Sequence, residues 1–217
     1  MLYVACSGFP LPVSRYWSLF ESVEISDTEL GIPGAGTVRR WLRESPEGFA
    51  FTALAPKAIA ESGFRKTKEN KALIDEFAEF AETLKAHAVV FQGDKTFKPT
   101  KATKTAIKAF VGWLPSDLPQ VVIDLPAWKP KDVRAACGKK PIVVAYDPLL
   151  EQPPTPVVDF AYMRMPGPAG HRSRYDEESV EKIIEHCRGL EVEEGFCVFR
   201  NIDMQANATS VREKLES

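Results

Sequence analysis

Residues 88–125 read AVVFQGDKTFKPTKATKTAIKAFVGWLPSDLPQVVIDL. The runs at 88–92 and 120–125 are short and rich in Val and Ile, which is typical of strands buried in a parallel sheet. Between these runs, apolar residues recur at three- and four-residue spacing, which predicts a helix with one apolar face: Ile107, Phe110, Val111 and Leu114. Pro115 ends that helix because its ring cannot continue the helical hydrogen bonds. The stretch therefore predicts a strand–helix–strand unit with parallel strands.

The same alternation of strand and helix patterns extends along the chain. Eight strands are predicted, at Leu2–Ser7, Ser22–Ser26, Phe49–Leu54, Ala88–Gln92, Gln120–Leu125, Pro141–Tyr146, Asp159–Met165 and Phe196–Asn201. Helical spacing predicts helices at Gly36–Glu44, Thr67–His87, Thr103–Leu114, Asp176–Arg188 and Gln205–Leu215. The stretch Asp147–Val157 contains four prolines, so we expect a loop or a single turn there: Pro148, Pro153, Pro154 and Pro156.

This order of elements decides between two α/β folds. Eight such units close most naturally into a ring, so we predict a compact (β/α)8 TIM-like barrel, formed as a single domain by residues 1–217. The proline-rich stretch implies a missing or reduced helix between strands 6 and 7. The alternative is a doubly wound open sheet, which usually has a glycine-rich first turn. The sequence Ser7-Gly8-Phe9-Pro10 is not such a turn.

The composition excludes several classes of protein. The 217 residues include 44% apolar residues, which is enough for a core, and 28 basic against 30 acidic residues, which argues against a general nucleic-acid binder. No apolar run approaches the roughly 18–20 residues that would cross a bilayer, so we expect no membrane partner. The start of the chain has no basic region and resembles a strand rather than a signal peptide. The four cysteines form no CxxC pair, which predicts reduced thiols in a cytoplasmic protein.

Polar residues at the carboxyl ends of the predicted strands are the candidate site residues, because these ends meet at one mouth of a barrel. The strand-end residues are Ser7, Glu24, Ser26, Gln92, Asp124, Tyr146, Asp147, Arg164, Asn201 and Asp203. We assign catalytic roles to Glu24, Asp124 and Arg164. Substrate binding is assigned to Ser7, Gln92, His171, Arg172, Arg174, Tyr175 and Asn201.

Glu24 and Arg164 carry the main chemical prediction. Each is the polar member of an apolar alternation, in Val-Glu-Ile and in Tyr-Met-Arg-Met, so both should point into the barrel. There the arginine would hold a carboxylate or phosphate, and the glutamate would act as general acid or base with its pKa set by the arginine. The alternative is a purely structural ion pair between the two side chains.

The segment at 166–175 is rich in glycine and basic residues and follows the seventh predicted strand. With Arg164 beneath it and the start of the last helix nearby, it predicts an anion site. The alternative is a solvated loop whose arginines pair with Asp176 and Glu177.

No metal site is predicted, because the spacing of the three histidines does not demand one. The chain has no Walker, HExxH or GxSxG motif, so its cofactors stay unknown. Cys6 is either a nucleophile or, more commonly, a small buried residue.

Several stretches resemble the YecE-like family, a domain of unknown function. Residues 3–8 resemble the family's "YVGTSGW" and residues 20–26 its "FNTVEIN". Similar stretches follow in the same order at 46–49, 90–92, 126–128, 162–167, 175–178 and 198–201. The resemblance implies a TIM-barrel-like fold with a polar pocket at the carboxyl-terminal mouth, and it implies no particular reaction. The family's recurrent polar positions match Glu24, Gln92, Arg164, Tyr175 and Asn201.

The chain departs from the family pattern at five places, one of which is residues 29–33, where the family's aromatic "FYRLP" reads ELGIP. Leu54 stands where a lysine is usual and Pro166 where a histidine is usual. Asp124 stands in for a glutamate, and Arg200-Asn201 replaces a pair of asparagines. If the lysine and histidine do chemistry in relatives, this member is altered or inactive.

Two functions follow from these features. The first is an enzyme, of the hydrolase or lyase class, that acts on a phosphorylated or otherwise anionic small molecule at the mouth. The second is a non-catalytic binding barrel that contacts nucleic acid through Lys95, Lys98, Lys101 and Lys104. The sequence does not give the oligomeric state.

Overall fold

A computed structural model describes residues 1–151 and 158–217, which form an eight-stranded parallel sheet with helices around it. The strands are β1 (Leu2–Ser7), β2 (Ser22–Ile25), β3 (Ala50–Leu54), β4 (Ala88–Gln92), β5 (Gln120–Asp124), β6 (Val143–Val144), β7 (Phe160–Met165) and β8 (Glu194–Phe199). The helices are α1 (Val13–Trp17), α2 (Ala35–Glu44), α3 (Lys57–Glu61), α4 (Lys68–Leu84), α5 (Lys101–Trp113), α6 (Pro130–Cys137), α7 (Glu177–Arg188) and α8 (Met204–Glu216).

The strand order brings the two ends of the sheet together. Neighbouring strands run β6-β5-β4-β3-β2-β1-β8-β7, and all of their pairings are parallel. At the remaining seam, the Tyr146 amide donates to the Tyr162 carbonyl at 3.2 Å, and the Arg164 amide donates to the Tyr146 carbonyl at 3.0 Å. The predicted barrel is therefore confirmed, and the open doubly wound sheet is excluded.

Alternation along each strand divides the apolar side chains into two layers. Residues such as Ala5, Leu54 and Phe196 form a cluster inside the ring. Their neighbours in sequence, such as Cys6 and Cys197, belong to a larger cluster between the ring and the helices. A polar residue in register with the inner cluster is therefore held inside the barrel.

The longest helices begin where the sequence supplies a capping side chain. Thr67 accepts a hydrogen bond from the Asn70 amide at the start of α4. At the start of α5, Thr100 and Thr103 form a reciprocal capping box. Such caps satisfy amides that have no partner within the helix, and each contributes about 1 kcal/mol.

The structure differs from the sequence prediction mainly in short elements. Helices α1 and α3 have five residues each, too few for a periodic pattern, and α6 starts at Pro130, which a first helical turn tolerates. Strand β6 is shorter than predicted. Between β6 and β7 the described residues contain a turn and no helix, in line with the predicted reduction. The prolines at 153, 154 and 156 lie outside the described residues.

Candidate functional site

Arg164 lies at the centre of a buried ion cluster inside the barrel. It is 4% exposed and comes from β7, where it follows the inward alternation of Phe160 and Tyr162. Its Nη2 donates to Glu24 Oε1 at 2.7 Å, and its Nη1 donates to Asp124 Oδ2. The structure thus brings together the three side chains to which we assigned catalytic roles.

Glu24 is completely buried and has hydrogen-bond donors on both carboxylate oxygens. The Ser7 hydroxyl donates to Oε1 at 2.6 Å, and the Tyr162 hydroxyl donates to Oε2 at 3.0 Å. Burial alone would raise the pKa of Glu24. The charges of Arg164 and Arg200 and the hydrogen bonds outweigh that effect, so the pKa is lowered. Glu24 is therefore a carboxylate at neutral pH.

Arg200 follows β8 and reaches across the mouth of the barrel. Its Nη1 donates to Gln92 Oε1 at 2.7 Å, and within the described residues no carboxylate oxygen lies within 4 Å of its guanidinium. Repulsion by Arg164, followed by burial, lowers the pKa of Arg200. The ordinary arginine pKa is high enough that the side chain still carries its charge at neutral pH.

Above this cluster, a cavity of about 410 Å³ opens at the carboxyl-terminal mouth. A ligand pocket commonly has about 300–1,000 Å³, so the cavity has room for a small molecule. Its charged and amide lining residues are Gln92, Lys95, Asp124, Asp147, Glu151, Arg164 and Arg200. An apolar wall is formed by Leu125, Pro126, Trp128, Pro130 and Leu150. Tyr146 and the turn at 166–170 also line the cavity.

Asp147 is a half-buried carboxylate on the cavity wall. Its Oδ1 accepts a hydrogen bond from the Leu149 amide at 2.9 Å, and no basic side chain of the described residues forms an ion pair with it. Burial raises the pKa of Asp147, and the bond from Leu149 offsets part of that effect. Chemically, such a group can bind a ligand cation or exchange a proton with a ligand.

The turn after β7 is held tightly against the barrel. The Gly167 amide donates to the Tyr175 hydroxyl at 2.8 Å. Gly167 has φ +94°, and a Cβ there would lie 2.5 Å from the Gly170 carbonyl oxygen and 2.6 Å from Ser173 Oγ. Only glycine fits this position without rearrangement of the turn.

The structure separates the other predicted site residues into three groups. Gln92, Asp124 and Arg164 line the cavity, whereas Ser7 and Glu24 lie beneath it. The remaining residues do not line it: His171, Arg172, Arg174, Tyr175 and Asn201. Their assignment to substrate binding stays a prediction.

Hydrogen bonds and packing explain why this third group misses the cavity. His171 Nδ1 contacts the Arg200 carbonyl oxygen, and the Arg174 guanidinium lies 3.2 Å from Asp203, not beside Asp176 or Glu177 as the alternative expected. Arg172 is exposed, and the Tyr175 hydroxyl is used by the turn.

Asn201 points away from the cavity. It comes one residue after Arg200 at the end of β8, and successive side chains of a strand point to opposite faces. Its amide donates to the Ser173 carbonyl at 3.3 Å and to Asn207 Oδ1 at 2.9 Å. It therefore joins the end of β8 to the turn after β7 and to α8.

Three site residues were missing from the sequence prediction: Thr52, Tyr162 and Arg200. Thr52 Oγ1 and the Tyr162 hydroxyl lie 2.8 Å apart, so Thr52 supports the hydroxyl that binds Glu24. Tyr162 and Arg200 were detectable, because they share the inward alternation of Arg164 on β7 and of Phe196 on β8. Thr52 was detectable in the same way, because it alternates with the inward-facing Ala50 and Leu54 on β3.

The predicted lysine series lies only partly at the cavity. Lys95 lines the cavity, and Lys104 Nζ lies 3.0 Å from Asp132. Lys98 and Lys101 are exposed.

Among the described residues, no three His, Cys, Asp or Glu side chains are grouped so that they could hold a metal ion. No helix in residues 1–151 or 158–217 combines the length and apolar character needed to span a membrane.

Comparisons with known proteins give a family match and several structural neighbours. The family model described as "Protein of unknown function DUF72" matches residues 11–217. No curated protein matches the chain. A DUF72 family protein from Enterococcus faecalis V583 superposes with a TM-score of 0.79 at 19% identity, covering 100% of this chain and 96% of its own.

Two further structures show how widely the fold is shared. A DUF72 family protein from Thermotoga maritima MSB8 has a TM-score of 0.75 at 20% identity, with 100% of both chains covered. A GH18 chitinase from Pseudoalteromonas aurantia has a TM-score of 0.56 at 10% identity, covering 99% of both chains. At these identities the superpositions show a common barrel fold.

Proposed function

The chain belongs to the DUF72 family of proteins of unknown function, and we propose that it is an enzyme-type barrel acting on a small molecule that carries an anionic group. The ligand would lie in the cavity at the carboxyl-terminal mouth. This is where barrel enzymes assemble their active sites from the loops that follow the strands.

The proposal rests on the position of Arg200 and on its hydrogen-bond partner. Its guanidinium belongs to the cavity lining, its side-chain partner is the neutral amide of Gln92, and no described carboxylate pairs with it directly. Arg164 lies beside it in the lining, but its Nη atoms bind Glu24 and Asp124 and its Nε is buried. The guanidinium of Arg200, with donors left unused, is suited to carboxylate or phosphate oxygens.

Within this proposal, Glu24 positions Arg164 and does not exchange protons with the ligand. Its oxygens are occupied by donors from Ser7, Tyr162 and Arg164, and it lies below the cavity floor. Asp124 holds the other side of the same guanidinium at the cavity edge. The acid–base role that we predicted for Glu24 from sequence is therefore replaced by a positioning role.

A thermal-shift panel of phosphorylated and carboxylated metabolites, each paired with its uncharged parent compound, tests the proposal. We expect acids but not their parents to stabilise the protein. The affinity of the best acid, measured by calorimetry, should fall roughly ten- to hundred-fold in Arg200→Ala, because a charge-assisted hydrogen bond contributes about 1.5–3 kcal/mol. The exposed Arg40→Ala on α2 is the control and should bind normally.

Two results would contradict the proposal. One is a panel in which no acid stabilises the protein, and the other is an affinity that survives in Arg200→Ala. The competing nucleic-acid function stays a prediction, and it requires oligonucleotide binding that falls steeply with salt and depends on Lys98 and Lys101.

A further inference from the structure

The cavity presents charges of both signs, and they come from different loops. Lys95 follows β4, and Arg200 follows β8 but reaches Gln92 at the end of β4. Asp147 and Glu151 both follow β6. The cations thus come from the loops after β4 and β8, and the two carboxylates belong to the single loop after β6.

The other charged side chains of the site balance one another inside the protein. Arg164 binds both Glu24 and Asp124, which leaves one negative charge in excess in that buried group. Arg200 lies next to it, so the four side chains together are neutral. A ligand with only a negative group would therefore face Lys95 together with the unpaired carboxylates of the β6 loop.

Asp147 is the side chain that most requires a cationic partner. It is half-buried, only one of its oxygens has a described partner, and that partner is the neutral Leu149 amide. Taking a carboxylate partly out of water costs free energy unless an opposite charge or further donors compensate. Glu151, on the same loop and the same cavity, adds a second negative charge.

We propose that the natural ligand is zwitterionic, with an ammonium group against Asp147 and Glu151 and a carboxylate or phosphate against Arg200 and Lys95. This inference rests on the proposed function and narrows its substrate to amino acids, amino sugar phosphates and similar aminated acids. The carbon skeleton of the ligand packs on the apolar wall at Leu125, Pro126 and Trp128. A cavity of about 410 Å³ accommodates molecules of this size.

Matched pairs of compounds test the proposal by calorimetry with the full chain. Each pair differs by one ammonium replaced by a hydroxyl: O-phosphoserine with 3-phosphoglycerate, glucosamine 6-phosphate with glucose 6-phosphate, and aspartate with malate. We expect the aminated member of at least one pair to bind ten-fold more tightly or better. This preference should shrink to less than three-fold in Asp147→Asn, while the hydroxyl member binds the variant at least as well as the wild type.

Two further variants make the experiment specific. Glu151→Gln should reduce the same preference, and it supplies the readout if Asp147→Asn does not fold. Asp117→Asn changes an exposed carboxylate outside the cavity lining and should keep the full preference.

The outcomes separate this inference from the proposed function. If acids bind through Arg200 but the two members of every pair bind equally, the zwitterion proposal is overturned and the proposed function stands. A preference that persists in both Asp147→Asn and Glu151→Gln also overturns it. If none of the acids binds at all, the proposed function itself fails.

Discussion

At the scale of single residues, the barrel interior is organised by one arginine. Arg164 is almost completely buried, and a lone guanidinium in that position would be strongly unfavourable. Glu24 and Asp124 compensate its charge, while Ser7 and Tyr162 complete the hydrogen bonds of Glu24. Because Glu24 and Asp124 balance the charges of Arg164 and Arg200, loss of either carboxylate leaves an uncompensated buried positive charge.

Replacement of Glu24 by glutamine should therefore destabilise the protein. We expect Glu24→Gln to lower the free energy of unfolding by about 3–5 kcal/mol, as is usual when one partner of a buried ion pair is removed. The exposed Glu76→Gln on α4 should change it by less than about 0.5 kcal/mol. Urea denaturation measures both, and a Glu24→Gln effect as small as the control would refute the structural role.

The same ion pair predicts how stability depends on pH. The pKa of Glu24 is lower in the folded protein than in the unfolded chain, because the attraction of Arg164 and Arg200 outweighs burial. Its contribution is therefore fully present above the ordinary glutamate pKa and is lost as the pH falls through the lower, folded pKa. Urea denaturation of wild type and Glu24→Gln across the acidic range should show their stabilities converging at low pH. A constant difference would contradict this linkage.

The burial of the cysteines argues against a thiol nucleophile. All four are buried, and burial raises the pKa of the Cys6 thiol to about 12 despite a hydrogen bond with Tyr16. Thiol reagents react with the thiolate form, so we expect no rapid reaction with Ellman's reagent in the folded protein and four equivalents after unfolding. Fast modification of Cys6 in the native state would show that the thiol is accessible and reactive.

At the scale of elements, the turn after β7 forms one rim of the cavity. It is held by the Tyr175 hydroxyl and by Gly167, whose φ of +94° and close neighbours leave no room for a side chain. Asn201 supports the same turn from the end of β8 through the Ser173 carbonyl. Residues predicted to bind substrate thus build the rim without lining the cavity.

Alanine substitutions at two glycines should have effects of opposite sign. Gly167→Ala should destabilise the protein by about 1–3 kcal/mol, because the positive φ and the contact with the Gly170 carbonyl both oppose a Cβ. Gly112→Ala lies inside α5 with nothing within 4 Å of the added Cβ, so it should stabilise the helix by up to about 1 kcal/mol. Thermal unfolding measures both changes, and equal signs would contradict this explanation.

At the scale of the whole molecule, the ring has one short seam. Strand β6 has two residues, and its link to β7 runs through the Tyr146 backbone. In contrast, β1 pairs with β8 over five residue positions. The barrel should therefore open first between β6 and β7, next to the loop that carries Asp147.

Hydrogen exchange measured by NMR tests this uneven stability. We expect the Tyr146 and Arg164 amides, which bridge the seam, to exchange faster than amides of β1 and β8. If the seam amides were protected as strongly as the β1–β8 pair, the barrel would open as one unit.

Much of the architecture followed from local patterns. The alternation around Glu24 and Arg164 placed both side chains inside the barrel, because successive residues of a strand point to opposite faces. Helices α4 and α5 were predictable from their apolar spacing and capping residues, whereas the five-residue α1 and α3 were too short to show a period.

By itself, the sequence determined the barrel, its single polar mouth and the burial of a carboxylate and a guanidinium within it. Only the tertiary structure decided that Arg200 bonds Gln92 across the mouth, that Asn201 faces away and that Asp147 accepts a hydrogen bond from the Leu149 amide. The physical reason is that periodicity reports how a side chain is oriented on its own element. Contacts between residues distant in sequence depend on strand register and on the path of each loop, and these are set by the packing of the complete ring.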